Sequence, residues 1–475
     1  MNRVSQFLAR HWPISLLVCF QFLAYLVLGL LTHAHFRSAG FDLGIFDQAV
    51  WHYSHIQAPT STIRGLDNIL GDHFHPILIL LAPLYWIYPH AQTLIVAQSA
   101  LLASSTVPVY LFCKDKLGDR TALLVAAAYA LNWGLQNAAG FDFHEIAFSV
   151  PAIAWMLYAI ERQRWRLYAA AALVLLLSKE DQALLLLFFG AYLLLRKYWL
   201  PAILSIAAGG GWFVLAIKFL IPHFSGGAGY SHWNYSQIGA TPSETLRTVL
   251  EHPLRIIRML VDNPIKRVTL KTLAYPFLGL CLLSPLMVLA IPLIAERMLS
   301  DVPNYWSKAF HYSATIAPIL ACAAAEGIAN LERLARRYSR HARNLPFTLG
   351  LLLLAGNIFL SRHFPFSYQL ADPNFYRLNS NEKVGYEALA VIPDKASVTT
   401  LNGISPHLSD RQHITLLPDD SAQYIVISPN VNFIPLASYA QAEAYVATRI
   451  EAGGTRVFNK DGWTVIRMPN QTPAS

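Results

Sequence analysis

The sequence predicts an α-helical polytopic membrane protein with a small extracytoplasmic α/β domain at its C-terminal end. Three observations predict it. Only 13% of the 475 residues are charged and 55% are hydrophobic, whereas a soluble chain carries about 25% charged residues. Long apolar runs recur as far as residue 360. Beyond them, short β-rich pieces alternate with one helical stretch. This composition excludes a soluble globular enzyme, a disordered chain and a fibrous protein. The formal charge of +8 then reads as Lys/Arg anchors at a cytoplasmic face, with no nucleic-acid partner.

The first apolar run, 12–31, follows Arg3 and Arg10, and no small-residue cleavage site comes after it. An uncleaved signal-anchor helix with a cytoplasmic N-terminus is expected. Further spans are expected at 91–113, 122–136, 146–160, 167–177, 183–195, 200–221, 312–331 and 346–360. The 270–299 run is too long for one crossing and is broken by Ser284-Pro285, so two short helices joined at a turn are expected there. The total is about eleven transmembrane helices, several of them shorter than the roughly 20 residues of a full span. Cys19, Cys113, Cys281 and Cys322 all sit in apolar runs and read as small core residues.

Orientation follows from four basic clusters: Lys114/Lys116/Arg120, Arg162/Arg164/Arg166, Arg196/Lys197 and Arg333/Arg336/Arg337/Arg340/Arg343. The positive-inside rule puts all four in the cytoplasm, provided that the short segment 76–88 lies at the interface without crossing. The outer segments are then 32–90, 137–145, 178–182, 222–269, 300–311 and 361–475. The cations at 247–271 sit against this rule, either on an exposed amphipathic helix or facing anionic lipid. Residues 1–362 form the expected transmembrane domain. Residues 363–475 form the expected α/β domain, with strands at 397–401, 424–427, 456–458 and 463–467, a helix at 440–449 and a hairpin turn at Asn459-Lys460-Asp461-Gly462.

Acids and histidines collect on the outer side. The first outer loop holds Asp42, Asp47, Asp67, Asp72, His33, His35, His52, His55, His73 and His75; Asp142, His144 and Glu145 form the next turn, and Lys179, Glu180 and Asp181 the third. Ionisable groups at membrane depth are costly and usually pair or line a functional cavity, so one polar cavity open to the outside is expected. Asp42 opens a short helix. It reads either as an N-cap or as a general base at the cavity entrance. Asp47 lies five positions on, about 140° around a helix, and does not pair with it. Asp72, His73 and His75 could hold a divalent metal or simply tie a loop. Lys179 is either a partner for Glu180 and Asp181 or a cation for a lipid phosphate. His311 and Tyr312 belong to a further outer edge with Trp306 and Lys308. No cofactor is identified, and a divalent metal stays open.

The segments FDLGIFDQAVW (41–51), GDHFHP (71–76), FDFHE (141–145) and KED (179–181), with SPLMVLAIP, FHY and SPHLSDR further on, resemble a bacterial membrane family named domain of unknown function 2079. That family is in turn remotely similar to the GT-C superfamily of membrane glycosyltransferases, which use polyprenyl-phosphate sugars. The resemblance implies a GT-C-like fold in the bacterial cytoplasmic membrane, with outer-face juxtamembrane helices. It implies inverting transfer of a sugar from a polyprenyl-phosphate donor, among membrane lipids, to a glycan, lipid or protein acceptor. In this sequence Asp42 matches the superfamily's essential first-loop acid best, and Asp47 second. Asp142 or Glu145 corresponds to the second acidic position. Lys179 and Arg255 or Arg258 are the candidates for the leaving phosphate. Asp72, His73, His75, His144, Glu180, His311 and Tyr312 are the remaining candidates for substrate contact. The superfamily's adjacent acids are missing, because Leu43 and Gly44 follow Asp42. The competing classes are a lipid or small-molecule transporter, weakened by the lack of an inverted repeat, and a non-catalytic scaffold.

Overall fold

A computed structural model describes residues 3–469. The side chains of Arg3, Arg10 and Arg340 lie outside the described ones. Among the described residues, four helices are long and apolar enough to cross a membrane: Trp12–Ala34, Gln92–Leu117, Trp199–Phe224 and Ala342–Ser361. They divide by burial. Gln92–Leu117 is mostly enclosed, whereas the other three carry broad apolar faces with no protein over them. Leu16, Phe20, Leu200, Ile203 and Leu352 are all at least half exposed. A surface of this kind belongs against lipid, because in water it would be a large unpaired apolar patch.

Three further apolar helices are short. Ser149–Glu161, Trp165–Ser178 and Gln182–Leu195 have 13, 14 and 14 residues. Each is about 20 Å long, less than the roughly 30 Å hydrocarbon layer, so a count of eleven full spans does not follow from them. Small residues let them pack closely. A Cβ at Gly209 would come within 2.7 Å of the Ala183 carbonyl, which brings Trp199–Leu215 against Gln182–Leu195. The Ala-rich helix Ala317–Ala335 runs through the centre, with Ile319 to Ala325 buried.

The 270–299 run differs from expectation. It contains the helices Pro264–Ala274 and Ala290–Leu299, but between them lie three 3₁₀ turns rather than one bend. The chain leaves the helix early, at Leu278 and Gly279, which both have left-handed φ (+52° and +68°). Gly327 admits this stretch, since a Cβ there would overlap the Leu280 carbonyl.

The basic clusters gather through shared contacts. Lys116 Nζ lies 2.8 Å from Glu161 and 3.8 Å from Glu326. Arg162 pairs with Asp115, and Gln163 donates to Tyr198 Oη at 3.1 Å. The cations at 247–271 are largely used within the protein. Arg247 pairs with Glu251; Lys266 pairs with Asp262 at 2.9 Å and lies 4.4 Å from the centre of the Trp306 ring. Arg255 donates to the Gln237 carbonyl.

The C-terminal sheet has five strands: β1 Val398–Thr400, β2 Ile414–Leu416, β3 Tyr424–Ile427, β4 Thr455–Lys460 and β5 Trp463–Arg467. Their order is β2-β1-β3-β5-β4. β1 pairs in parallel with β2 and β3, and β5 is antiparallel to β3 and β4. Asp461 and Gly462 both take positive φ in the β4–β5 turn, as a two-residue hairpin with this twist requires. The sheet packs on the loop that follows the first apolar helix. Thr62 Oγ1 accepts from Ile414 N at 2.9 Å and donates to its carbonyl at 2.6 Å. Leu43, Phe46 and Ile63 share one core with Val398, Ile414 and Val426.

Candidate functional site

The site starts in the loop that follows the first apolar helix. Residues Gly40–Gly44 form one π-helical turn that runs into the helix Ile45–Ser54. Gly40 lets the chain pass close to Ser405, since a Cβ would lie 2.1 Å from Ser405 Oγ. Ala39 occupies the N-cap position and no side chain caps the turn, so the reading of Asp42 as an N-cap is corrected. Its carboxylate instead faces His144, with Oδ1 3.3 Å from Nε2, and its side chain keeps 30% of its exposure.

His144 is held on both nitrogens. Nδ1 lies 3.1 Å from the Asp142 carbonyl and Nε2 faces Asp42. A carbonyl and a carboxylate can only accept, so this setting favours the doubly protonated, positively charged ring. Burial opposes that charge, but Asp42 and Glu145 outweigh it and raise the pKa. His144 stacks on His311 with centroids 3.7 Å apart. His311 stays neutral, lowered first by burial and then by the His144 charge. Asp142 accepts from Ala39 N at 2.9 Å; burial, then the Asp42 charge, pushes it up to about 7.

The turn at 178–182 supplies the opposite charge. Lys179 Nζ lies 3.1 Å from Glu145 Oε1. Burial opposes both charges, yet each holds the other ionised: Glu145 is lowered and Lys179 raised. Asp181 is pushed up to about 6 by burial, against the pull of Lys179. Glu180 is fully buried. It accepts from His73 Nδ1 at 2.7 Å, from Phe74 N at 2.9 Å and from Tyr230 Oη at 3.0 Å.

A cavity of about 110 Å³ opens beside these turns, lined by Lys179, Asp181, Glu296, Arg297, His311 and Tyr312 among others. His311 Nδ1 and Gln182 Oε1 on its wall, and Glu145 Oε2 nearby, are buried without a hydrogen-bond partner. Arg297 is committed elsewhere: it donates to the Tyr305 and Ser307 carbonyls and to Ser313 Oγ.

The structure therefore brings Asp42, Asp142, His144, Glu145, Lys179 and His311 into one connected group, with Tyr312 on the cavity wall and His73 and Glu180 beside Lys179. His75 is buried against Phe46, with Nδ1 unpartnered. Three candidates lie apart from this group. Asp47 is 1% exposed and accepts from Tyr85 Oη at 2.5 Å and from Ser409 Oγ at 2.6 Å, so it ties the loop to the C-terminal region. Arg255 and Arg258 sit exposed on the helix Pro253–Met259 and are not among the residues that line the cavity. The sequence also gave no sign of Tyr230, His232, Glu296 and Arg297. Their one available signal is polarity between apolar runs, and no motif marks them. The third member of the Asp72/His73 group is His232 rather than His75.

The sequence matches the family described as predicted membrane protein (DUF2079) over residues 32–461, and the chain belongs to that family. No curated protein matches it at a significant level. The fold is similar to that of ArnT from Cupriavidus metallidurans, a GT-C glycosyltransferase. Against the structure of ArnT bound to undecaprenyl phosphate the TM-score is 0.55 at 11% identity, covering 96% of this chain and 98% of that one. Against apo ArnT the TM-score is 0.51 at 12% identity, with the same coverage. At such identity the likeness is one of fold: this is a membrane-embedded protein with a GT-C-like architecture.

Proposed function

We propose that this member of the predicted membrane protein (DUF2079) family is an integral membrane glycosyltransferase. It moves a sugar from a polyprenyl-phosphate donor to an acceptor hydroxyl at the outer face of the bacterial cytoplasmic membrane. In this reading the N-terminus is cytoplasmic, residues 1–362 form the transmembrane domain, and residues 363–475 form the extracytoplasmic one. One observation carries the proposal: a continuous line of groups runs from the part-exposed carboxylate of Asp42 through His144 to His311 on the wall of the cavity that Lys179 also lines.

Asp42 is the general base. It takes the proton of the acceptor hydroxyl as that oxygen attacks the anomeric carbon. The bond from that carbon to the phosphate oxygen breaks on the opposite face, so the configuration inverts, and the polyprenyl phosphate leaves with the electron pair. The departing charge needs a fixed cation, and Lys179 is the cavity-lining cation placed to supply it. His144 is a positioning residue: its ring fixes the Asp42 carboxylate. His311, with its free Nδ1, and Tyr312 offer hydrogen bonds to sugar hydroxyls. The fold likeness to a protein that binds undecaprenyl phosphate supports the donor class.

Mass spectrometry of lipid-linked sugars before and after incubation with the purified protein tests this reading. Free polyprenyl phosphate and a glycosylated acceptor should appear together. Donor that moves between leaflets while staying chemically intact would contradict it.

A further inference from the structure

We propose that Asp72, His73 and His232 form a divalent-metal site, of the kind that takes zinc, on the wall of the cavity. One ligand atom from each of the three lies within 4.8 Å of the others. Ligands about 2.0–2.1 Å from a common zinc ion stand up to about 4.2 Å apart, so small side-chain shifts close the set. All three residues are half-buried, and His73 and His232 line the cavity, so an ion here has solvent access and an open coordination position.

The surroundings prepare His73 as a ligand. Its Nδ1 faces the buried carboxylate of Glu180 at 2.7 Å, and a carboxylate accepts, so Nδ1 carries the proton and Nε2 keeps a free lone pair. A metal-bound histidine is usually oriented in this way by a carboxylate behind it. Glu180 is itself fixed by Tyr230 and Phe74 N. The His73 and His232 rings stack at 3.9 Å with an interplanar angle of 23°, so the two imidazoles lie side by side. Asp72 Oδ1 is 2.8 Å from His232 Nε2, and Arg64 approaches its other oxygen at 3.7 Å. Neutral imidazoles with a carboxylate suit zinc and its neighbours in the first transition row. The loop is built to hold this placement: a Cβ on Gly71 would lie 2.6 Å from Ser225 N, so the glycine lets Asp72 reach the segment that carries His232.

This inference concerns binding and does not depend on transfer activity. Purified wild-type protein is stripped with chelator, dialysed against Zn²⁺ alone and assayed for bound metal. One equivalent per chain is expected, with at least ten-fold weaker binding in Asp72→Asn and His232→Ala. Binding should return in His232→Cys and weaken roughly 10- to 100-fold in Glu180→Gln. A readout on the unaltered protein covers the case of variants that do not fold: Zn²⁺ should protect His73 and His232, but not exposed His252, from carbethoxylation mapped by peptide mass spectrometry. Failure of the wild type to bind zinc, or binding without protection of these two histidines, overturns the proposal and leaves the three residues as a hydrogen-bonded tie between loops.

Discussion

Lys179 Nζ lies 3.1 Å from Glu145 Oε1, with Glu145 2% exposed and Lys179 17% exposed. A buried pair of this kind is strongly destabilised when one partner is lost, because the other charge is left without compensation. Lys179→Met is therefore expected to cost about 3–5 kcal/mol in thermal or chemical unfolding of the detergent-solubilised protein. Adding Glu145→Gln should recover most of that loss. Transfer should remain absent in the double variant, since the cation proposed for the leaving phosphate is still missing. A double variant that is stable and fully active would show that the pair serves folding alone.

Asp47 gives a prediction about pH. Its carboxyl is pushed up to about 8, first by burial and then by Asp410, from an ordinary value of 3.8. Between those values the folded protein holds a proton that the unfolded chain has released. Asp47 thus adds stability that is complete below about pH 4 and is lost as the pH rises towards 8. Asp47→Asn, which cannot ionise, should remove this slope and gain on the wild type as the pH goes from 5 to 9. Unfolding midpoints across that range check it; parallel profiles would contradict it. Transfer at neutral pH should change little.

Topology is open to labelling. With Cys19 replaced, Gln163→Cys should react with a membrane-impermeant thiol reagent only after the cytoplasmic face is opened. Asp67→Cys and Asp410→Cys should react from outside in intact cells. The basis is the gathering of Lys116, Glu161, Arg162 and Glu326 at one end, away from the acidic turns. Labelling of position 67 only from the cytoplasm would reverse the orientation.

The reach of the sequence can be seen residue by residue. Strands β3 and β5 and the Asp461-Gly462 turn were legible because β-branched runs and a two-residue turn are local signals. β2 was not: it is short, and its place beside β1 and Thr62, the latter 352 residues away in sequence, is set by packing between distant segments. In the site, acids and histidines at three turns marked the region, since charge is conspicuous in an apolar chain. Partner choice was hidden. Nothing local says that Asp42 turns to His144 while Asp47 turns to Ser409, or that Asp72 meets His232 rather than His75. These pairings are set by packing between distant segments, as at Gly71 against Ser225.

The most direct test of the account is single-turnover transfer by Asp42→Asn, with donor binding measured on the same sample. Asn has nearly the same shape but cannot take a proton. Asp42 caps no helix and the amide oxygen of Asn can still face His144 Nε2, so the protein should stay folded with donor affinity kept, its unfolding midpoint shifted only modestly by loss of the charge opposite His144. The account predicts a transfer rate lower by roughly 10²- to 10⁴-fold, the usual contribution of a positioned base. Wild-type transfer by a folded Asp42→Asn protein would remove Asp42 from the chemistry and contradict the central claim.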